Sequence, residues 1–98
     1  MTFAVLFRRS AADFLNTLPE KSQRIIAAKL AILQTDPYPG SGGGDKERLN
    51  TDGVEVFRLH IGRTFTALYI IHTDTDRNWV EITHLMTIEQ AHKRYGRL

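Results

Sequence analysis

The sequence predicts an α+β fold in which an antiparallel β-sheet carries an N-terminal helical hairpin and a C-terminal helix. Residues 57–61 alternate between apolar and polar side chains, and a reversal at Gly62 leads into a second strand-like run, which is typical of a β-hairpin. Residues 11–34 instead repeat apolar side chains at helical spacing. The 98 residues have room for one hydrophobic core. We therefore expect a single domain over residues 1–98 with the element order β-α-α-β-β-β-α.

The N-terminal third is predicted to be a strand followed by two helices. Residues 2–8 alternate apolar side chains, which favours a strand. Ser10 is a suitable N-cap for a helix over residues 11–18. Pro19 ends that helix and suits the first turn of the next helix, over residues 20–34. The apolar stripes of the two helices consist of Ala11, Phe14, Leu15 and Leu18, and of Ile25, Ile26, Leu30 and Leu33.

Residues 36–45 are predicted to be a flexible connection. The segment contains two prolines and four glycines and cannot continue a regular element. Its glycine run, residues 42–44, does not form a phosphate-binding P-loop, because no strand precedes it and no Gly-Lys-Ser/Thr follows. A short extra strand is expected near Leu49.

The predicted hairpin places two chemically active side chains on one face. Successive side chains of a strand point to opposite faces, so Arg58 and His60 lie together, opposite Phe57, Leu59 and Ile61. Arginine can hold a phosphate, and a neutral histidine can accept a proton near pH 7. The pair is a candidate site for phosphate chemistry. A surface ion pair is the alternative for Arg58, and a polar surface position is the alternative for His60.

The C-terminal third is predicted to be a strand over residues 79–85 and a helix over Ile88–Tyr95. His84 shares a strand face with Val80 and Ile82, which predicts a buried, hydrogen-bonded histidine unless a β-bulge redirects it. All helices are expected to pack on one face of the sheet, because an antiparallel sheet can leave its other face solvated.

Composition excludes several classes of protein. The chain has 42% hydrophobic and 24% charged residues and no cysteine, which excludes a disulfide framework, a thiol nucleophile and a zinc–thiolate site. Its longest apolar stretch, residues 67–71, is too short to span a membrane. The N-terminal basic residues follow the apolar run, opposite to the order in a secretory signal peptide. The four histidines lie too far apart in the sequence for a metal-ligand motif. We therefore expect a cytoplasmic protein with no membrane partner, no metal and no cofactor.

Basic residues are concentrated in two parts of the chain, although the formal net charge is only +2. If they converge in space, they form a patch suited to phosphates; scattered, solvated charge is the alternative. The first group comprises Lys46, Arg48, Arg58 and Arg63, and the second comprises Lys93, Arg94 and Arg97 beside His84 and His92.

The order and spacing of these features resemble the RelE/ParE superfamily of type II toxins. The resemblance covers essentially the whole chain and depends on the features together rather than on one motif. It implies a RelE-like fold and a cognate antitoxin protein as partner. The features are Leu18-Pro19 between the first two helices, the DPYPG after the second, the FRLHIG strand, the partner strand with Tyr69, and the closing MTIEQAHKRYGRL.

For the RelE branch, the resemblance implies a metal-independent endoribonuclease that cuts mRNA on the ribosome, an mRNA interferase that inhibits translation. The 2′-hydroxyl of the substrate attacks the neighbouring phosphate, which requires a base, cations and an acid. Arg58 and His60 match basic positions of the family's central strand. His92 and Tyr95 are candidates for its C-terminal catalytic side chain. The candidate RNA-binding residues are Lys46, Arg48, Arg63, Lys93, Arg94 and Arg97.

The sequence departs from the family pattern at two places. The arginine common after the glycine turn is replaced by Phe65 or Thr66, and the arginine usual near the end of the last strand is replaced within Leu85, Met86 and Thr87. Two alternatives therefore stay open. One is a ParE-like toxin that binds DNA gyrase without hydrolysing anything, and the other is a catalytically weakened module that binds antitoxin or RNA.

Overall fold

A computed structural model describes residues 2–40, 45–49 and 53–95, with side chains up to Lys93. It contains the predicted elements and the extra strand expected near Leu49. None of the helices in the described ranges is long and apolar enough to cross a membrane. The strands are β1 (Ala4–Phe7), β2 (Lys46–Leu49), β3 (Val56–Ile61), β4 (Phe65–Thr73) and β5 (Asn78–Thr87); the helices are α1 (Arg9–Asn16), α2 (Glu20–Ala31), followed by a 3₁₀ turn at Ile32–Gln34, and α3 (Ile88–Tyr95).

The five strands form one mostly antiparallel sheet in the order β1-β5-β4-β3-β2. Strands β2 to β5 pair antiparallel, as the sequence predicts. Strand β1 pairs in parallel with β5, and Val5 lies opposite Val80. A parallel pair needs a long connection between its strands, and here nearly the whole chain lies between them. The α+β class is therefore confirmed, with one parallel edge strand added.

The main core lies between one face of the sheet and the α1–α2 hairpin. Phe57, Leu59 and Ile61 point to this core face and are buried. Tyr69 is also fully buried there, and its ring stacks on that of Phe57 at a centroid distance of 5.5 Å. The helices contribute Ala11, Ile26, Leu30 and Leu33, with Phe14, Leu15 and Leu18 partly buried at the margin.

The two N-terminal helices differ from the prediction at their ends. Arg8 is the N-cap of α1, and Ser10 lies inside the helix. Helix α2 ends at Ala31, and the chain then tightens into the 3₁₀ turn. Ile26 and Leu30 are four residues apart and lie on the inner side of α2, where both are buried. The preceding position, Ile25, therefore points toward solvent and is 47% exposed.

Helix α3 packs on the other face of the sheet. Ala91 joins a second apolar cluster with Leu68 and Met86, whose side chains point away from the main core. The prediction that all helices share one face is therefore wrong, because these apolar side chains also need a cover. We call this side of the sheet the α3 face. Its residues on β2 to β5 include Glu47, Arg58, His60, Leu68 and His84.

The segment after α2 is anchored to the sheet. The Tyr69 hydroxyl donates a hydrogen bond of 2.7 Å to the Pro37 carbonyl. Lys46 Nζ donates to the Asp36 carbonyl at 2.7 Å and lies 2.8 Å from the Asp36 carboxylate. Burial raises the pKa of Tyr69, so its hydroxyl remains a donor. The chain is therefore held where it leaves the helical hairpin, whereas the glycine run at 42–44 lies outside the described residues.

Candidate functional site

An arginine and a glutamate face each other on the α3 face. Arg58 on β3 lies directly opposite Glu47 on β2, and its Nη2 donates to the Glu47 carboxylate. The Arg58 side chain is 26% exposed and that of Glu47 is 45% exposed. The buried Nε of Arg58 has no hydrogen-bond partner among the described residues. The guanidinium is thus held by one carboxylate while one of its N–H groups is unsatisfied.

His60 lies beside this pair. Its Nε2 is 3.7 Å from Glu47 Oε1, and its backbone N–H donates a bond of 2.8 Å to the Asp45 carbonyl. Burial lowers the pKa of His60, and the positive charge of Arg58 lowers it further. Asp45 opposes this shift, whereas His92 adds to it. His60 is therefore neutral at pH 7 and able to accept a proton.

Helix α3 brings His92 to the same site. The Gln90 N–H donates to Thr87 Oγ1 at 3.1 Å, and the Thr87 N–H donates back to Gln90 Oε1 at 2.9 Å. This reciprocal pair is a capping box, which fixes where a helix begins. The Ile88 N–H also donates to the Thr64 carbonyl at 2.7 Å, which ties the start of α3 to the β3–β4 turn. The exposed His92 thereby lies within electrostatic range of the hairpin.

A β-bulge turns His84 toward the α3 face. Leu68 pairs with His84, but the next residue, Tyr69, pairs with Ile82, so Thr83 is the extra residue. An extra residue reverses the alternation of side chains along a strand, and His84 therefore points away from Ile82. The prediction of a buried His84 is wrong for this reason. Its half-buried side chain lines a hollow on the α3 face, and its Nδ1 lies 3.1 Å from Thr83 Oγ1.

The described residues contain no group of three or more histidine or acidic side chains placed to bind a metal ion. The cluster of Glu47, Arg58 and His60 instead combines one acid with two basic groups. Such a set can bind an anion through the guanidinium and exchange a proton through the imidazole or the carboxylate.

The architecture matches solved structures closely. In the structure of the archaeal RelE–RelB complex from Pyrococcus horikoshii OT3, one chain superposes with a TM-score of 0.68 at 22% sequence identity. The match covers 89% of this chain and 96% of that chain. This chain has the RelE/ParE toxin fold.

Two further structures share the RelE/ParE fold with this chain. The toxin–antitoxin complex RelBE2 from Mycobacterium tuberculosis matches with a TM-score of 0.67 at 21% identity, over 89% of this chain and 99% of that one. The YoeB/ParE toxin from Agrobacterium tumefaciens matches with a TM-score of 0.69 at 15% identity, over 87% and 98% of the two chains. No family model and no protein of curated function matches the chain.

The RelE/ParE fold places two of the predicted RNA-binding residues away from the α3 face. Lys46 and Arg48 point to the core side of β2, because their partners on β3 are core residues. Lys46 is buried and binds Asp36. Arg48 is exposed at the sheet edge, 3.2 Å from a Glu55 oxygen and with its guanidinium 5.8 Å from the centre of the Phe57 ring.

Two other predicted residues, Arg63 and Lys93, lie in the β3–β4 turn and on α3. Arg63 is exposed in the β3–β4 turn, and Lys93 is exposed on α3. The side chains of Arg94 and Tyr95, and the whole of Arg97, lie outside the described part of the chain. Among the predicted catalytic residues, Arg58 and His60 lie on one face of β3, and His92 on α3 is close enough for its charge to lower the pKa of His60.

The positions at which the family resemblance predicts an arginine are occupied by uncharged side chains, and all but the half-buried Thr87 are buried. Phe65 and Leu85 belong to the main core, and Thr66 and Met86 are buried on the α3 face. None of these four side chains supplies a positive charge. Among the described residues, the predicted cations on this side of the sheet lie on β3, in the β3–β4 turn and on α3.

Glu47 is a site residue that the sequence pattern does not reveal. Its position opposite Arg58 depends on the β2–β3 register, and residues 50–55 separate the two strands. The sequence does contain one indication of Glu47, because it is a single acid between the bases Lys46 and Arg48. In a strand, such an acid points to the face opposite to that of the two bases.

Proposed function

We propose that this chain is the toxin of a type II toxin–antitoxin system and a ribosome-dependent endoribonuclease. The observation that carries the proposal is the convergence of Glu47, Arg58 and His60, with His92 nearby, on one face of a RelE/ParE fold. The reaction is cleavage of mRNA by the 2′-hydroxyl of the substrate, without a metal or cofactor. The site of action on translated mRNA is cytoplasmic.

Arg58 is the proposed phosphate ligand. Its side chain is 26% exposed, although its Nε is buried. A phosphate oxygen that reaches the exposed part of the guanidinium gains a charge-assisted hydrogen bond. In the transition state the guanidinium stabilises the negative charge that accumulates on the phosphate oxygens.

His60 is the proposed proton acceptor. The neutral imidazole takes the proton of the 2′-hydroxyl as the 2′-oxygen bonds to phosphorus and the bond from phosphorus to the 5′-oxygen breaks. Glu47, 3.7 Å from His60 Nε2, stabilises the imidazolium that results. A group on α3, His92 or Tyr95, returns a proton to the 5′-oxygen. The products are a cyclic phosphate and a 5′-hydroxyl.

The proposed partners are mRNA on the ribosome and a cognate antitoxin protein. Both the Pyrococcus horikoshii and the Mycobacterium tuberculosis structures are toxin–antitoxin complexes. A chain with the same fold needs a similar inhibitor if it cleaves cellular mRNA.

Brief expression from a tightly controlled promoter, with mapping of new 5′ ends on a translated reporter mRNA, tests this function. We expect cuts at codon-periodic positions that disappear in Arg58→Ala. Arg24→Ala is the matched control, because Arg24 also forms an ion pair, with Glu20, but on the exposed side of α2. Cuts that persist in a folded Arg58→Ala variant would refute the proposed role of Arg58.

A ParE-like binding toxin is the second candidate. It is favoured by the burial of uncharged residues at the usual arginine positions, such as Thr66 and Leu85. Growth arrest with intact mRNA, and inhibition of purified DNA gyrase by the same protein, would replace the nuclease with this function. If the protein causes neither cleavage nor growth arrest, the remaining function is that of a module that binds antitoxin or RNA.

A further inference from the structure

A hollow of about 190 Å³ lies on the α3 face next to the cluster of Glu47, Arg58 and His60. Its walls are mainly apolar and include Val56, Leu68 and Ile70. Arg8 and the redirected His84 line the same hollow and give it polar groups. The volume is below that of pockets for drug-sized ligands. It therefore suits a single planar ring with hydrogen-bonding edges.

The sheet register places this hollow beside the proposed phosphate ligand. Val56 precedes Arg58 by two residues on β3, so the two side chains share a face and start about 6.6 Å apart. Leu68 lies directly opposite Arg58 on β4. A nucleotide whose phosphate reaches Arg58 has its neighbouring base within reach of the hollow.

The polar groups of the hollow are held in place. Arg8 Nε and Nη2 donate to one Glu81 oxygen at 3.0 and 2.8 Å, and His72 Nε2 lies 2.9 Å from the other. The Thr83 hydroxyl donates to the Leu68 carbonyl at 3.2 Å, which fixes the bulge that directs His84. A fixed arginine and histidine can read the edge of a base, while apolar side chains contact its face.

We propose that this hollow binds one unpaired nucleobase of the RNA, adjacent to the phosphate held by Arg58. The inference rests on the proposed nuclease function and adds a base-binding subsite to it. The Arg58 guanidinium beside the hollow favours an RNA occupant over an apolar peptide, because a nucleotide offers both a phosphate for the guanidinium and a planar ring for the hollow. Contact of the base with the hollow makes cleavage depend on base identity near the cut.

Methyl NMR tests the subsite. The probe is a 2′-O-methyl tetraribonucleotide, which cannot be cleaved because its 2′-oxygens carry no proton. The ring current of a bound base shifts methyl resonances over its face upfield, so we expect upfield shifts at Val56, Leu68 and Ile70. Ile25 and Ile32, both exposed on the α2 side, are the internal controls and should not move.

A matched set of oligomers, each with one abasic residue, identifies the base. At one position the loss of the base should abolish the methyl shifts and weaken binding about 5- to 160-fold, the range for one stacked base. Ile70→Trp, which fills the hollow, should remove the difference between intact and abasic oligomers. Ile32→Trp, which adds the same ring elsewhere, should preserve it.

The outcomes separate the subsite from the nuclease itself. Intact and abasic oligomers could shift the resonances of Arg58 and His60 equally and leave the methyl resonances of the hollow unchanged. That result overturns the base subsite and leaves the nuclease proposal. Codon-periodic cleavage in cells without any methyl shift does the same. Absence of both oligonucleotide binding and mRNA cleavage overturns both proposals.

Discussion

Glu47 and Arg58 form a cross-strand ion pair on the α3 face, and Glu47 also lies within 3.7 Å of His60. One carboxylate thus contacts the two basic groups to which the proposed reaction assigns phosphate binding and proton transfer. Removing the Glu47 carboxylate should therefore change the rate of the proposed reaction much more than the free energy of unfolding.

Glu47→Gln should lower the rate of mRNA cleavage by about 100-fold, at the lower end of the range for acid–base groups. Because the carboxylate is 45% exposed, the loss of unfolding free energy should stay below about 1 kcal/mol. Cleavage mapping and urea denaturation measure the two effects. Glu20→Gln, which breaks the exposed pair with Arg24, should change neither by a comparable amount. Equal cleavage by both variants would exclude Glu47 from the mechanism.

His60 should titrate below its ordinary value of 6.5, as followed by its imidazole resonances in NMR. His92→Ala should raise the pKa of His60, because it removes a nearby positive charge, and Asp45→Asn should lower it further. Asp74→Asn, in the β4–β5 turn, is the control and should have no effect. An unchanged His60 midpoint in His92→Ala would show that α3 does not approach the hairpin.

The same shift of His60 sets a pH dependence of stability. The unfolded chain binds a proton at this residue at a higher pH than the folded chain does. The His60 contribution is therefore constant above the unfolded pKa, and stability falls as the pH falls below 6.5 toward the folded pKa. Chemical denaturation between pH 7 and pH 5 should show this loss. The loss should shrink in His60→Gln, and a loss of the same size in that variant would assign it to other groups.

Thr87→Ala should destabilise α3 by about 1 kcal/mol, the usual effect of losing an N-cap side chain. Amide hydrogen exchange over residues 88–93 should accelerate, and the pKa of His60 should rise as His92 moves away. Thr17→Ala removes a hydroxyl bond of 2.7 Å to Phe14 at the end of α1 and should leave α3 unchanged. Unaltered exchange in Thr87→Ala would show that the capping box does not hold α3.

Tyr69→Phe should lower the unfolding free energy by about 1–2 kcal/mol, because it leaves the Pro37 carbonyl without its hydrogen bond. For a domain of this size, such a loss lowers the melting temperature by several degrees. Tyr38→Phe, at a tyrosine that is 46% exposed, is the matched control. Equal melting temperatures of the two variants would contradict the proposed anchoring of the segment after α2.

The faces of the hairpin could be predicted because the alternation of strand side chains is strict. Arg58 and His60 lie on one face and Phe57 on the other, as the sequence indicates. The direction of His84 could not be predicted in the same way, because no glycine or proline marks the bulge at Thr83. That extra residue becomes visible only in the pairing with β4.

The composition of the site could be predicted only in part, because it depends on strand register. The approach of Glu47 to Arg58 requires β2 and β3 to be aligned across a long connection. Lys46 was grouped with the RNA-binding residues by its charge. Because neighbouring side chains of a strand point to opposite faces, Lys46 points to the core side when Glu47 points to the α3 face. On the core side, Lys46 binds Asp36. Charge alone therefore identified a basic region and not which of its members share a surface.

The pairing of β1 with β5 affects when the protein can become active during its synthesis. Residues 4–7 leave the ribosome before their partner strand, which ends at residue 87. Nascent domains fold as units, and contacts distant in sequence form slowly. Strand β1 can therefore pair with β5 and complete the sheet only after residues up to about 87 have been synthesised. An incomplete chain that lacks β5 has neither that pairing nor α3 and His92, so interrupted translation should release a product without the proposed site.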